Sequence, residues 1–205
     1  MNTPSRTRGR PKRVDDRQVL AEVLNVFWQK GYSGASLGDL AEAAKVSRPS
    51  LYEALGDKRE MYRAALDATI DLLEATLAAT LSAQRPLREE LDALFAQSIA
   101  LYCSGMQLRG CPVMCTAPAE ALEEPMARAA LARSIGVLDA AFEARFEKAK
   151  SAGEIAGTAE PRILAVQVTA LLQSISLRAR SGDNAAELSS IARSVIAQLA
   201  SGNSR

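Results

Sequence analysis

No histidine occurs anywhere in the 205 residues. That absence removes Ser-His-Asp and Cys-His catalysis, His-ligated zinc and the HExxH arrangement. The glycine spacings that cradle phosphates, G-x-x-x-x-G-K-S/T and G-x-G-x-x-G, are missing as well. No apolar run reaches the roughly 18 residues that a membrane span requires. The basic start MNTPSRTRGRPKR leads into no apolar segment of the signal-peptide kind. Only three cysteines are present, an odd number, which in a chain with no export signal predicts reduced thiols in a cytoplasmic protein. Cys103, Cys111 and Cys115 lie eight and four apart with no CxxC, a poor thiolate site for a metal. No metal and no cofactor is therefore expected. An enzyme is not expected either; a thiol-based one would have to work without a histidine.

Aromatic residues make up 4% of the chain against 48% hydrophobic overall, a balance that leans towards helices built on alanine and leucine. The length suffices for one or two small domains with a core of their own. Net charge is only +1, but it is unevenly spread: residues 1–63 hold 12 Lys+Arg against 8 Asp+Glu, and the remainder is net negative. A basic N-terminal third on a slightly acidic body predicts a polyanion contact confined to one end.

Residues 1–14 are polar and rich in Arg, Pro and Gly, the composition of a basic arm. Asp15 followed by Gln18 offers a capping-box start for a first helix. Leu20, Val23, Leu24 and Phe27 line one of its faces, and it should stop near Lys30–Gly31. Trp28 and Tyr32 are expected in packing. Ser36 with Asp39 starts a second helix, Ser47 caps a third, and Gly56 ends it. Asp57 with Glu60 then caps a long helix from Lys58 to about Ala83. Two short helices joined by a three- or four-residue turn, packed on a first, make a helix-turn-helix unit. Beyond it, helices are predicted at about 87–104, 112–122, 126–151, 160–181 and 185–200, with no strand and no internal repeat. The fold class is thus all-α, with about nine helices. It divides into the arm at 1–14, a DNA-binding domain at 15–66 and a C-terminal effector-binding and dimerisation domain at 67–205.

The third helix, VSRPSLYEALG, carries an arginine and no acid in its first turn. A helix start is the positive end of the peptide dipole and presents free N–H groups, so it attracts anions. Arg48 sharpens that preference and is the best candidate for a bidentate guanine contact. Pro49 is tolerated there because its missing N–H would have no intrahelical partner. Ser47 and Ser50 supply hydroxyls. Tyr52, beside inward-facing Leu51, should point outward, and Lys58 should meet a flanking phosphate. In the arm, Arg8, Arg10 and Arg13 are spaced to enter an adjacent minor groove. The partner these features fit is double-stranded DNA.

The run FWQKGYSGASLGDLAEAAKVSRPSLYEALGDKREMYRAAL resembles the N-terminal domain of TetR-family transcriptional regulators. The likeness lies in the aromatic-K-G-Y helix end, the Ser-capped second helix, VSRPSLY, and GDK before a long helix. It is close over about residues 12–66. It implies an all-α homodimer, two recognition helices on a palindromic operator, and a divergent C-terminal ligand domain. By correspondence it places the DNA contacts on Ser36, Lys45, Ser47, Arg48, Pro49, Ser50, Tyr52 and Lys58. Leu55 stands where the family commonly has an aromatic. The function implied is that of a sequence-specific regulator, a repressor released by a small-molecule or thiol-reactive effector. An activator would dock identically. The alternative is a weakly specific architectural DNA-binding protein.

The last two helices, about 160–200, carry apolar stripes that include Ile163, Val166, Leu188, Ile191, Ala192, Val195 and Leu199. A terminal hairpin of this kind buries its surface against a copy of itself, giving a homodimer. The RGC stretch, Arg109–Cys111, resembles one in a TetR branch where some members answer electrophiles or oxidants through cysteine. Arg109 and a helix start at Pro112 would both lower the pKa of Cys111. Cys111 is then a candidate sensor, with Cys115 or Cys103 as partner; the other reading makes all three small buried apolar residues. Leu94, Leu101, Met106, Met114, Leu138, Phe142 and Leu172 are candidate walls of an effector pocket.

Overall fold

The structure, a computed structural model, describes residues 15–104 and 109–201. Among the described residues there are nine α-helices and no strand. They are α1 (Asp16–Gly34), α2 (Leu37–Ala43), α3 (Arg48–Leu55), α4 (Lys58–Thr80), α5 (Leu87–Tyr102), α6 (Pro112–Glu120), α7 (Pro125–Ser151), α8 (Pro161–Ser181) and α9 (Ala185–Ser201). The arm residues Arg8, Arg10 and Arg13 and the pocket candidate Met106 lie outside the described residues.

Local capping sets the starts of the short helices. Ser36 accepts from the Asp39 N–H while the Asp39 carboxylate accepts from the Ser36 N–H, a complete capping box; Asp57 and Glu60 make a second. The box expected at Asp15 is half formed: its carboxylate accepts from the Arg17 N–H, with no return bond from Gln18. α1 breaks where the glycine predicted it would, at Gly31 (φ 71°), but a further turn continues to Gly34. α4 ends at Thr80, earlier than expected: Leu81 leaves helical geometry at ψ 49°, and Ala83 beyond it takes a left-handed φ of 60°.

Two buried cores share the long helices α4 and α7. The first gathers Val19, Val23 and Phe27 of α1, Leu40 of α2, Leu51 of α3 and Met61–Ile70 of α4, together with Val113 and Ala117 of α6. The second packs α5, α7, α8 and α9 around Leu94, Phe142, Phe146, Leu172 and Ile175. α4, with 23 residues and so about 35 Å long, runs from the first core to the second. The half-buried side chains of Cys111 and Val137 touch both.

One end of the second core is closed by buried charges. The Arg145 guanidinium donates to Glu90 at 2.6 Å, with 1% and 0% of these side chains exposed. It also reaches Glu154 at 3.2 Å and the Arg85 carbonyl at 3.1 Å. Glu90 accepts in turn from the Ser82 hydroxyl and the Ala83 N–H, and Glu154 from the Leu87 N–H. The start of α5, the end of α7 and the α4–α5 loop are thus pinned to one guanidinium.

The terminal hairpin departs in part from expectation. Leu188 and Ala192 of α9, placed by the sequence on an outward stripe, are buried in the chain's own core with Ile196. The reason is that α9 lies along α5 and covers it. The outward apolar residues sit on α8: Ile163, Val166 and Leu177 are all about half exposed.

Candidate functional site

Ser47, Arg48, Pro49 and Ser50 open α3 on an exposed surface, next to exposed Lys45 in the α2–α3 turn and exposed Ser36 at the start of α2. The first turn of α3 contains no acid. Arg48 has no ion pair among the described residues, and its guanidinium lies across α2, with Nη2 3.1 Å from where a Cβ on Gly38 would stand. Lys45 holds a left-handed φ of 55°, a geometry that lets the turn close in so few residues. Tyr52 points outward, 45% exposed.

Several of these side chains already have local work. The Ser47 hydroxyl accepts from the Ser50 N–H at 3.2 Å and meets the Ser50 hydroxyl at 2.8 Å, so it caps its own helix. The Ser36 hydroxyl is engaged with Asp39 on both sides. Asp39 is held well below the usual carboxylate range, first by the Lys30 ammonium at 2.6 Å and then by Ser36. The Lys58 ammonium stands 4.6 Å over the Tyr32 ring. Arg48, Lys45 and Tyr52 are the groups of this face free to reach a partner.

Behind this surface, α6 and the segments that flank it are tied at four points to α1 and α4 of the N-terminal head formed by α1–α4. The Tyr62 hydroxyl meets Thr116 at 2.8 Å in the interior. The Ser33 hydroxyl donates to Glu120, and Arg59 pairs with Glu124 at 3.0 Å. The Trp28 indole N–H donates to the carbonyls of Arg109 and Gly110, at 3.2 and 3.0 Å. From α8, Arg180 donates to the carbonyls of Trp28 and Arg109. A buried indole N–H needs an acceptor; that requirement was the sequence signal for a role of Trp28 beyond packing. Gly110 has φ +65°, and a Cβ there would stand 2.4 Å from the Ser176 carbonyl and 2.6 Å from Cys115 Sγ. No other residue fits at this joint.

Cys111 is the N-cap of α6, as the sequence predicts, and its N–H donates to the Ser176 hydroxyl at 2.7 Å. Cys115 Sγ lies 3.6 Å from the same hydroxyl. The expected lowering of the Cys111 pKa is overturned. The Arg109 guanidinium turns away, 5.1 Å over the Trp28 ring with one nitrogen on Asn25. Burial then dominates and pushes the Cys111 thiol up to about 11, against the opposing pull of the Met114 and Val113 N–H groups at the helix start. Cys103 is also pushed up by burial.

The folded chain therefore keeps a thiol proton that an unfolded one releases above about pH 8.5. Its contribution to stability is intact at neutral pH and is lost as pH rises through the folded value near 11. Alkylation of Cys111 by iodoacetamide should accelerate about tenfold per pH unit from 7 to 10. Mass spectrometry of the modified peptide checks this; a rate already level at pH 7–8 would mean a thiolate at rest.

Cys111 also walls a cavity of about 270 Å³ enclosed by α1, α4, α5, α6, α7 and α8. Of the pocket residues named from the sequence, Leu94, Leu101, Met114, Leu138 and Leu172 line it, whereas Phe142 is plain core. Leu24, Trp28, Gln173 and Ser176 line it without having been foreseen. For Gln173 and Ser176 the signal lay in LLQSISL, where Gln and Ser interrupt an apolar stripe. Among the described residues no cluster of three or more His, Cys, Asp or Glu could hold a metal, and no helix is long and apolar enough to cross a membrane.

Comparison with known proteins agrees with this geometry. Residues 19–65 match the family described as bacterial regulatory proteins, tetR family, and residues 86–195 match the tetracyclin repressor-like C-terminal domain. The HTH-type transcriptional repressor ComR of Escherichia coli (strain K12) is 37% identical over 95 residues, a match that spans 46% of this chain and 45% of ComR. The HTH-type transcriptional regulator YezE of Bacillus subtilis (strain 168) is 27% identical over 149 residues, 73% of this chain and 77% of YezE. A cysteine-substituted form of the TetR-family regulator CifR, solved with a 26-bp double-strand operator DNA, superposes with TM-score 0.81 at 27% identity, covering 93% of this chain and all of that one. The reduced form of E. coli NemR shares the fold, with TM-score 0.80 at 19% identity over 93% of this chain and 98% of NemR.

Proposed function

Because the chain belongs to the TetR family of bacterial regulatory proteins, we propose that it reads a palindromic operator as a homodimer and is a repressor released by an effector. The family consists of dimeric DNA-binding transcriptional regulators rather than enzymes. The observation that carries the reading is the exposed, acid-free first turn of α3, where Arg48 has no ion pair among the described residues. There the helix dipole, free N–H groups and a guanidinium all favour a phosphate or a guanine edge.

In this reading residues 15–66 are the DNA-binding domain and 67–205 the effector and dimerisation domain. Arg48 reads a base. Lys45, Pro49, Ser50, Tyr52 and Lys58 border the groove. Ser36 and Ser47 offer phosphate contacts through hydroxyls that also cap their helices, and Arg8, Arg10 and Arg13 follow the minor groove. Dimerisation uses the outward face of α8, with Ile163, Val166 and Leu177, and the flank of α9.

The cavity holds the effector, with Cys111 on its wall beside Ser176 and Cys115, and Cys103 at the end of α5. Thr116, Glu120 and the Arg109–Gly110 carbonyls join that wall to α1 and α4. A ligand that shifts α6 therefore changes how the head is held, and with it the distance between the two reading helices. Half-sites lie about 34–36 Å apart, so a small change uncouples one of them, provided the ligand binds the two arrangements unequally.

The test is binding to DNA from the chain's own upstream region and to scrambled DNA at physiological salt. A preference of about a thousandfold is expected. Equal, steeply salt-dependent binding to both would instead indicate an architectural protein.

A further inference from the structure

We propose that the cavity takes an uncharged, mainly apolar molecule of one or two rings with one or two hydrogen-bonding atoms, and rejects the same skeleton carrying a charge. That such a ligand acts as the effector rests on the regulator reading; its chemical class does not.

The argument starts from what the wall lacks. Among the described residues, no Asp, Glu, Lys or Arg lines the cavity. An ion entering it would give up part of its water with no counter-charge on the wall to replace it, a loss that neutral side chains do not repay. The volume of about 270 Å³ lies at the small end for organic ligands, which sets the size at one or two rings.

Among the wall's polar side chains, Ser98 and Tyr102 bond each other and the Ser176 hydroxyl accepts from the Cys111 N–H, which leaves two further sets to decide what the wall offers. On α4, the Thr69 and Thr76 hydroxyls are spent on the carbonyls of Ala65 and Leu72, each at 2.8 Å, so this wall offers no free donor from them. On α5 and α8, the amides of Gln97 and Gln173 make no hydrogen bond among the described residues. An amide both donates and accepts, so the pair can serve a hydroxyl, a carbonyl or an ether. The cavity is thus apolar on its α4 side and carries neutral hydrogen-bonding groups on its α5–α8 side. That pattern selects a phenol, ketone or similar neutral molecule over a carboxylate or an ammonium ion.

The experiment titrates full-length protein by calorimetry at pH 7 with 2-naphthol, 2-naphthoate and 2-naphthylmethylammonium. The neutral probe should bind at least thirtyfold more tightly than either ion. Ala68→Phe, which places a ring into the empty volume from half-buried Ala68, should reduce 2-naphthol binding at least tenfold while the thermal midpoint holds. Leu72→Lys, at an exposed wall position, should raise 2-naphthoate affinity without unfolding risk.

Equal or tighter binding of an ion, no binding of any probe, or an Ala68→Phe protein that binds 2-naphthol as before would each overturn the assignment. Adding operator DNA separates the two readings. If 2-naphthol binds with the stated preference and fails to release DNA, the ligand class stands and the effector role does not.

Discussion

Arg48→Ala is expected to reduce affinity for a specific operator by at least thirtyfold while changing affinity for scrambled DNA by less than tenfold. A bidentate arginine–guanine contact contributes about 1–3 kcal/mol of discrimination, and a dimer makes it twice. Arg48 meets the geometric condition. It sits at the first position of α3, exposed, with no acid in the same turn and no ion pair among the described residues. Nothing has to be broken for it to reach a base beyond lifting its guanidinium off Gly38. Arg48→Lys separates charge from shape, because an ammonium keeps the phosphate attraction and loses the planar fork. It should retain scrambled-DNA binding and the salt dependence while losing most of the discrimination. Fluorescence anisotropy on both DNAs checks all three proteins. A uniform loss on both DNAs for Arg48→Ala would make this side chain a phosphate contact.

Arg145→Ala is expected to lower the unfolding free energy by about 3–5 kcal/mol, since it leaves a buried carboxylate without its partner. Against the 5–15 kcal/mol typical of a folded domain, that is a large fraction. Glu90 is wholly buried, and burial alone would raise its pKa. The bond from Arg145 and the Ala83 N–H overcome this and hold its carboxyl below the usual range. A depressed folded value means that the pair's stabilisation is present above the unfolded pKa, near 4.3, and is lost as pH falls through the folded one.

Acid should therefore loosen the α4–α5 loop and the α7 end together, because Arg145 also binds the Arg85 carbonyl and Glu154. The double variant Glu90→Gln/Arg145→Met should recover most of the loss, because it removes both buried charges while the Gln carbonyl can still accept from the Ala83 N–H. Urea unfolding at pH 7 and pH 4 measures each. A loss below 1 kcal/mol in Arg145→Ala would show the guanidinium to be incidental there.

The head was legible in the sequence because its determinants are local. Ser36 with Asp39, Ser47 with Pro49, and Asp57 with Glu60 each set a helix start within four residues, and the structure places those starts at Leu37, Arg48 and Lys58. Exposure of Tyr52 followed from its place beside buried Leu51. What escaped was non-local. Glu90 and Arg145 lie 55 residues apart, with nothing in either segment to announce the pairing.

Arg109 appeared to be a neighbour of Cys111 because it is close in sequence. The chain turns at Gly110, sends the guanidinium to Trp28 and leaves the thiol to be governed by burial. The α9 stripe was real, but Leu188 and Ala192 complete the chain's own core against α5, and Leu199 packs on it. Periodicity identifies an apolar face without saying whose core it completes.

Selection of a binding site from random double-stranded DNA by the purified protein, followed by footprinting of the winner, bears most directly on α3 as the reading helix of a dimer. An inverted repeat is expected, with half-site centres about 10–10.5 bp apart, or a whole multiple of that spacing, protected on one face of the duplex. A single asymmetric element protected by one chain, or no enriched sequence after repeated rounds, would contradict it.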